Sequence, residues 1–318
     1  MPENIRAVIF GCAGPTLTPQ ECDLFRAVNP LGLILFARNI KTPEQVRTLT
    51  ADFRACVHRP DAPVLIDQEG GRVQRLKAPY WQELPAVRLY GDTYHHNKIA
   101  GEQAVIHHAT ILAQNLKSAD INVDCWPCLD VATCGIHDVL GDRCLSDDPR
   151  DVLHLGNLAI ETLLKAGIMP VVKHIPGYGR AIVDPHRTLP VVGSDLETLT
   201  ERDFYPFSHV AYPVWGMTAH VIYTALDSDM PATLSPAVIR YIRHKIGFQG
   251  PLISDALEMG ALQTYGTLPE LAVKVLQSGV DAVLHCTGDF DEMRALADVI
   301  PPWTHQAATR FEQAGKLL

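Results

Sequence analysis

A chain of 318 residues, 47% hydrophobic and 20% charged, has the balance of a globular protein with a substantial core, not of a disordered one. Its formal charge of −9 argues against a general nucleic-acid binder, which needs a basic face to neutralise phosphates. A local basic pocket for an anionic ligand remains compatible with an acidic whole.

The N-terminal stretch MPENIRAVIFGCAG has a short apolar run without the long hydrophobic region of a secretion signal. No apolar stretch reaches bilayer length, so no membrane span is expected. Eight cysteines are scattered without the density of a disulfide scaffold, the pattern of reduced thiols in a cytoplasmic protein. Cys125-x-x-Cys128, with Cys134 nearby, has half of a zinc-site spacing. The pair brackets Trp126-Pro127 inside an expected strand, however, and no second pair follows at finger spacing. The reading is buried structural thiols and no metal.

In chain order, short apolar runs alternate with segments of helical spacing. The runs cover 7–11, 32–36, 63–67, 121–131, 168–174, 216–223, 251–255 and 281–286. Helices are predicted over 42–57, with Thr42 as N-cap and Pro43 in the first turn, and over 102–119, 149–166, 235–246 and 269–279, the last ending at a glycine. Continuous apolar runs suit parallel strands covered on both faces. Eight of them with intervening helices predict an α/β fold, a single (β/α)8 TIM barrel forming one catalytic domain over 1–318. An open doubly wound sheet is the alternative, weakened because no run carries a G-x-G-x-x-G fingerprint into a helix.

Active sites of such barrels lie at the C-terminal ends of the strands. There the runs end in Asp67, Asp130, Lys173-His174, His220 and Asp255, which converge on one rim. Asp255 has two readings: an N-cap for a following helix, or a carboxylate held at the barrel mouth to attack an anomeric carbon. In the segment 173–190, Asp184 stands two residues before His186. This is either a surface turn with an incidental ion pair, or an imidazole oriented as general acid and then base. In IDQEGGRVQRL (66–76), Asp67 suits sugar hydroxyls, and Arg72 and Arg75 suit a carbonyl or carboxylate, against the reading of a charged loop. Gly70-Gly71 permit backbone angles closed to other residues. His95-His96 and His107-His108 read as solvated positions on or near a helix.

Together these segments resemble the bacterial β-N-acetylglucosaminidases of glycoside hydrolase family 3, the NagZ-type enzymes of peptidoglycan recycling. The resemblance runs in order through GLILFARN (32–39), IDQEGGRVQRL, VDCWPCLDV (123–131), GDRCLSDDP (141–149), KHIPGYG with its downstream D-x-H, TAHVIY (218–223) and ISDALEM (253–259). It implies a retaining double displacement with Asp255 as nucleophile, His186 as acid/base and Asp184 as its orienting partner. It further implies that Asp67, Arg75, Arg143, Lys173 and His174 contact the sugar.

The implied substrate is N-acetylglucosaminyl-1,6-anhydro-N-acetylmuramic acid with or without its stem peptide, handled in the cytoplasm with no metal or organic cofactor; the sequence leaves the oligomeric state open, with a monomer favoured. Neither nucleic acid nor membrane is an expected partner. A phosphorylase using the same site, and a muropeptide-binding barrel without turnover, are the competing expectations. Three positions depart from the family: Tyr178 stands in its PGHG, Pro185 in its D-S-H and Ala256 in its S-D-D.

Overall fold

The computed structural model describes residues 4–133, 140–181, 183–185 and 187–318. His186 and Cys134 therefore lie outside the described residues. Eight strands close into a barrel: β1 (Arg6–Phe10), β2 (Pro30–Leu35), β3 (Val64–Ile66), β4 (Val123–Asp124), β5 (Met169–Ile175), β6 (Trp215–Thr218), β7 (Leu252–Ala256) and β8 (Ala282–His285). Every neighbouring pair is parallel, and β8 closes onto β1 through Val8–Val283 and Phe10–His285. This is the predicted TIM barrel. All seven residues of β5 are buried, as expected for a strand covered on both faces.

Local signals behave as their chemistry requires. Thr42 caps the helix Pro43–Cys56, its Oγ1 accepting from Gln45 N at 3.2 Å. Helix Leu268–Ser278 ends at Gly279, whose φ of 107° only glycine adopts readily. The predicted helix over 235–246 is α-helical at Pro236–Tyr241 and widens into a π-turn at Ile242–Ile246.

Two runs are shorter as strands than their apolar lengths suggest. Of 121–131 only Val123–Asp124 forms β4, because Pro127 has no N–H to give the ladder. The chain rejoins β5 through a bridge between Cys128 and Lys173, with Leu129 N donating to Lys173 O at 2.8 Å. The run 216–223 divides. Its first half is β6, while Ile222–Tyr223 pairs with Val191–Val192 in a separate two-stranded sheet. That small sheet anchors the far end of the segment that leaves β5 over the rim.

His108 corrects the solvated reading. Helix Lys98–Ser118 turns it inward with Val105 and Leu112, which sit three and four residues away on the same face. It is fully buried between Tyr90 and Trp126, and its Nε2 lies 2.9 Å from the Glu69 carbonyl oxygen. Burial pulls its pKa down to about 4. His95, His96 and His107 are exposed, as read. Among the described residues no helix is long and apolar enough to cross a membrane.

Candidate active site

Asp67 directly follows β3, Lys173 and His174 lie near the end of β5, and Asp255 lies near the end of β7. All four line one cavity of about 420 Å3 at the C-terminal ends of the strands, together with Arg75 and Arg143. The structure thus brings together every described sugar contact that the resemblance implies. A recess beside it, sharing Arg143, His174 and Asp255, is closed by Tyr178, Pro185 and His220. A cavity of similar size, about 470 Å3, sits at the other end of the barrel against Trp215, Trp303 and Phe311. Its Arg59 is spent on the carbonyls of Pro30 and Leu31, and Asp61, Asn122 and Glu312 are the other charged or amide side chains on its lining.

The rim is wired through ion pairs. Lys173 Nζ lies 2.8 Å from Asp67 Oδ1 and 2.6 Å from Glu69 Oε1, with the lysine fully buried. Arg143, carried by the turn Gly141–Arg143, grips Glu69 with two donors, Nε to Oε2 at 2.8 Å and Nη2 to Oε1 at 2.7 Å. Arg75 Nη2 approaches Asp67 Oδ2 at 3.7 Å, while its buried Nε has no hydrogen-bond partner among the described residues. Burial alone would raise the carboxyl pKa values here. Lys173 and Arg75 outweigh it at Asp67, and Arg143 and Lys173 outweigh it at Glu69, so both stay ionised. The same pairs, Asp67 first, overcome the burial of Lys173 and hold it protonated. Around Asp67 and Glu69 three cations face two carboxylates, a local excess of positive charge beside Asp255 and Glu258, which line the same cavity.

Glu69 was not assigned a role from sequence. Its carboxylate shares Lys173 with Asp67, two residues earlier in the segment that follows β3. The following glycines make the turn. Gly70 and Gly71 have φ of 97° and 57°, and a Cβ on Gly70 would lie 2.6 Å from Pro85 O.

His174 is oriented from behind. Its Nδ1 lies 2.7 Å from Oδ2 of buried Asp130, whose Oδ1 accepts from Tyr178 N at 2.6 Å. Burial opposes ionisation of Asp130, but His174 and the N–H donors hold its carboxyl below the usual range. Sequence reading marked Asp130 only as a run end. Its role as the clamp of His174 depends on β4 and β5 being neighbours.

Asp255 is half-buried, and its Oδ1 accepts from Ala256 N at 2.8 Å. Among the described residues no cation forms an ion pair with it, unlike Asp67 and Glu69. The N-cap reading fails, because the chain turns after Ala256 into a 3-10 stretch, Gly260–Tyr265, and no α-helix begins at Asp255. His220 braces the strand end, with Nε2 3.0 Å from Ala256 O and Nδ1 2.8 Å from Thr233 Oγ1. The carboxyl absent at position 256 has a counterpart one turn on. Glu258 lines the same cavity, accepts from Cys286 N at 2.8 Å, and has its pKa raised by burial.

The loop after β5 is docked onto this wall. Tyr178 donates from its hydroxyl to Val183 O at 2.9 Å, and buried Pro185 accepts at its carbonyl from Ala261 N at 3.0 Å. Half-buried Asp184 accepts at its carbonyl from Arg187 N and Thr188 N, at 3.0 and 2.9 Å. The expected pairing of Asp184 with His186 involves a residue outside those described.

Residues 26–313 match the glycosyl hydrolase family 3 N terminal domain. A β-hexosaminidase of Chromobacterium violaceum is 35% identical over 317 residues, covering 97% of this chain and 87% of that protein. One from Nitrosomonas eutropha is 34% identical, covering 88% and 80%. Among solved structures, native NagZ from Neisseria gonorrhoeae superposes with a TM-score of 0.89 at 31% identity, covering 98% of this chain and 90% of that one. With a matching family domain over most of its length and an assembled polar site on the barrel rim, the chain belongs to glycosyl hydrolase family 3 and is a glycoside hydrolase.

Proposed function

We propose that the protein is a retaining β-N-acetylglucosaminidase acting on GlcNAc-1,6-anhydro-MurNAc and its peptides, in the cytoplasm, as a monomer whose 318 residues form one catalytic domain. The observation that carries the reading is Asp255: a half-buried carboxylate without an ion pair among the described residues, on the wall of a cation-lined cavity. In the first step an Asp255 carboxylate oxygen attacks C1 of the sugar, and the C1–O bond to the leaving group breaks. His186 gives its proton to that departing oxygen. In the second step water attacks C1, passes its proton to His186 and releases Asp255. Asp184 orients His186, and Asp67, Arg75, Arg143, Lys173 and His174 hold the sugar.

Release of the chromophore from an aryl β-N-acetylglucosaminide, beside the matching β-glucoside, tests this. Turnover of the acetamido sugar is expected to dominate, with free sugar as product even in phosphate buffer. Asp255→Ala is expected to lose about three orders of magnitude or more in kcat, with an unfolding midpoint close to wild type. A variant within about tenfold of wild type would remove Asp255 as nucleophile. Binding of the sugar without turnover by the wild-type chain would replace the enzyme with a binding-only barrel.

A further inference from the structure

The sugar contacts that the resemblance implies all enter the cavity from one arc of the barrel. Asp67 and Arg75 follow β3, Lys173 and His174 lie near the end of β5, and Arg143 sits on the turn between β4 and β5. The remaining arc, from β6 through β8 and on to β2, is lined mainly by Ile34, Phe36, Met217, Met259, Leu284 and Cys286. Apart from Asp255, Glu258 is the one charged side chain on that arc among the described lining residues.

The fold places Glu258 there. Beyond β7 the chain stays alongside β8, with Leu257 N donating to Leu284 O at 3.0 Å. Three residues after Asp255, the Glu258 carboxyl reaches the end of β8, where Oε1 accepts from Cys286 N at 2.8 Å. Its Oε2 is buried and has no hydrogen-bond partner among the described residues. A buried carboxyl oxygen without a partner is destabilising, and this one belongs to a side chain on the wall of a ligand cavity. The terminal torsion of a glutamate is soft, so Oε2 can turn toward a group that enters the cavity. A sugar hydroxyl fits that place. It donates and accepts, so it pairs with the carboxyl ionised or neutral, and burial favours the neutral form.

We propose that Glu258 is a specificity-determining residue that hydrogen-bonds a hydroxyl of the bound sugar on the β7–β8 side of the cavity. The inference rests on the glycosidase reading above and adds a contact that the resemblance does not imply. It fixes the ring from a second side, three residues from the carboxylate that attacks C1.

A cycle between protein and substrate tests the contact. Full-length wild type and Glu258→Ala are assayed on an aryl β-N-acetylglucosaminide and on its 3-, 4- and 6-deoxy analogues. The variant is expected to lose about tenfold in kcat/KM on the parent sugar. On one deoxy analogue the two proteins are expected to agree within about twofold, because the hydroxyl that Glu258 binds is gone. A residue that only supports the wall lowers turnover of every substrate alike. A uniform loss, or no loss on the parent sugar, therefore overturns the proposal. Glu258→Gln keeps an acceptor for Cys286 N and is used if the alanine variant misfolds. Its loss is expected to be a fewfold and again to vanish on one analogue. A wild-type chain that turns over none of these glycosides removes the glycosidase reading itself. The same cycle is then read by calorimetry as dissociation constants of the methyl β-glycosides. Weakening of about tenfold that disappears for one deoxy sugar sustains the contact. Equal weakening for all of them, or no binding by wild type, overturns it.

Discussion

The Lys173 ammonium nitrogen lies 2.6 Å from Glu69 Oε1, and both side chains are almost wholly removed from solvent. The same carboxylate takes both donors of Arg143, so one buried anion sets two cations on the rim. Glu69→Gln leaves those cations with uncompensated charge. Because Lys173 keeps Asp67, the expected cost is about 3 kcal/mol, the lower end for a broken buried pair. Denaturant unfolding at neutral pH measures it, and a loss below about 1 kcal/mol would show that the network does not hold the rim.

Arg143→Lys preserves the charge and gives up the fork. A point charge cannot reproduce the paired contacts at 2.8 and 2.7 Å on Glu69. The expected result is a loss of about tenfold in kcat/KM on an aryl β-N-acetylglucosaminide, since the side chain also lines the cavity. Steady-state kinetics on a variant verified as folded would refute this if the specificity constant were unchanged.

His108 makes stability depend on pH. Its pKa falls from 6.5 to about 4 on folding, so the unfolded chain takes up the proton first as the medium acidifies. The stabilisation is complete above 6.5 and is lost as pH falls from 6.5 towards 4, amounting to about 3 kcal/mol. Asp67, Glu69 and Asp130 have lowered pKa values, and their contribution disappears below the ordinary carboxylate range. Urea unfolding at pH 7 and pH 4.5, wild type beside His108→Gln, separates the two effects. The variant is expected to be less stable at pH 7 and to lose less on acidification; parallel losses would sink the assignment.

Tyr178→Phe keeps the ring against His174 and removes the hydroxyl that ties down Val183 O at 2.9 Å. The expected effects are about 1 kcal/mol in stability and a fewfold drop in kcat, as the loop bearing Asp184 loosens. Burial raises the phenol pKa, so Tyr178 stays protonated and the ratio of variant to wild-type kcat should be constant from neutral to mildly alkaline pH. A ratio that changes with pH would mean that the hydroxyl titrates or touches a group that does.

The sequence by itself determined the barrel. Eight continuous apolar runs, Thr42 and Pro43 opening a helix, and Gly279 closing another are statements about neighbours along the chain, where burial and dihedral preference act directly. It also determined that Asp67, Lys173, His174 and Asp255 share a rim, because strand ends of a barrel point to one face. What only the tertiary structure decided is which of these groups meet. Glu69 joins Lys173 and Arg143 across 104 and 74 residues of chain, and Cys128, Asp130 and His174 meet because a bridge sets Cys128 beside Lys173. His108 reads as polar yet points inward, since its direction follows from where Glu69 O and Tyr90 lie and not from its own polarity. Asp255 passes for a helix cap until the chain beyond it is seen to turn away. Local pattern records which apolar runs are buried; the strength of a charge pair depends on its distance and dielectric, and both are set only when the barrel closes.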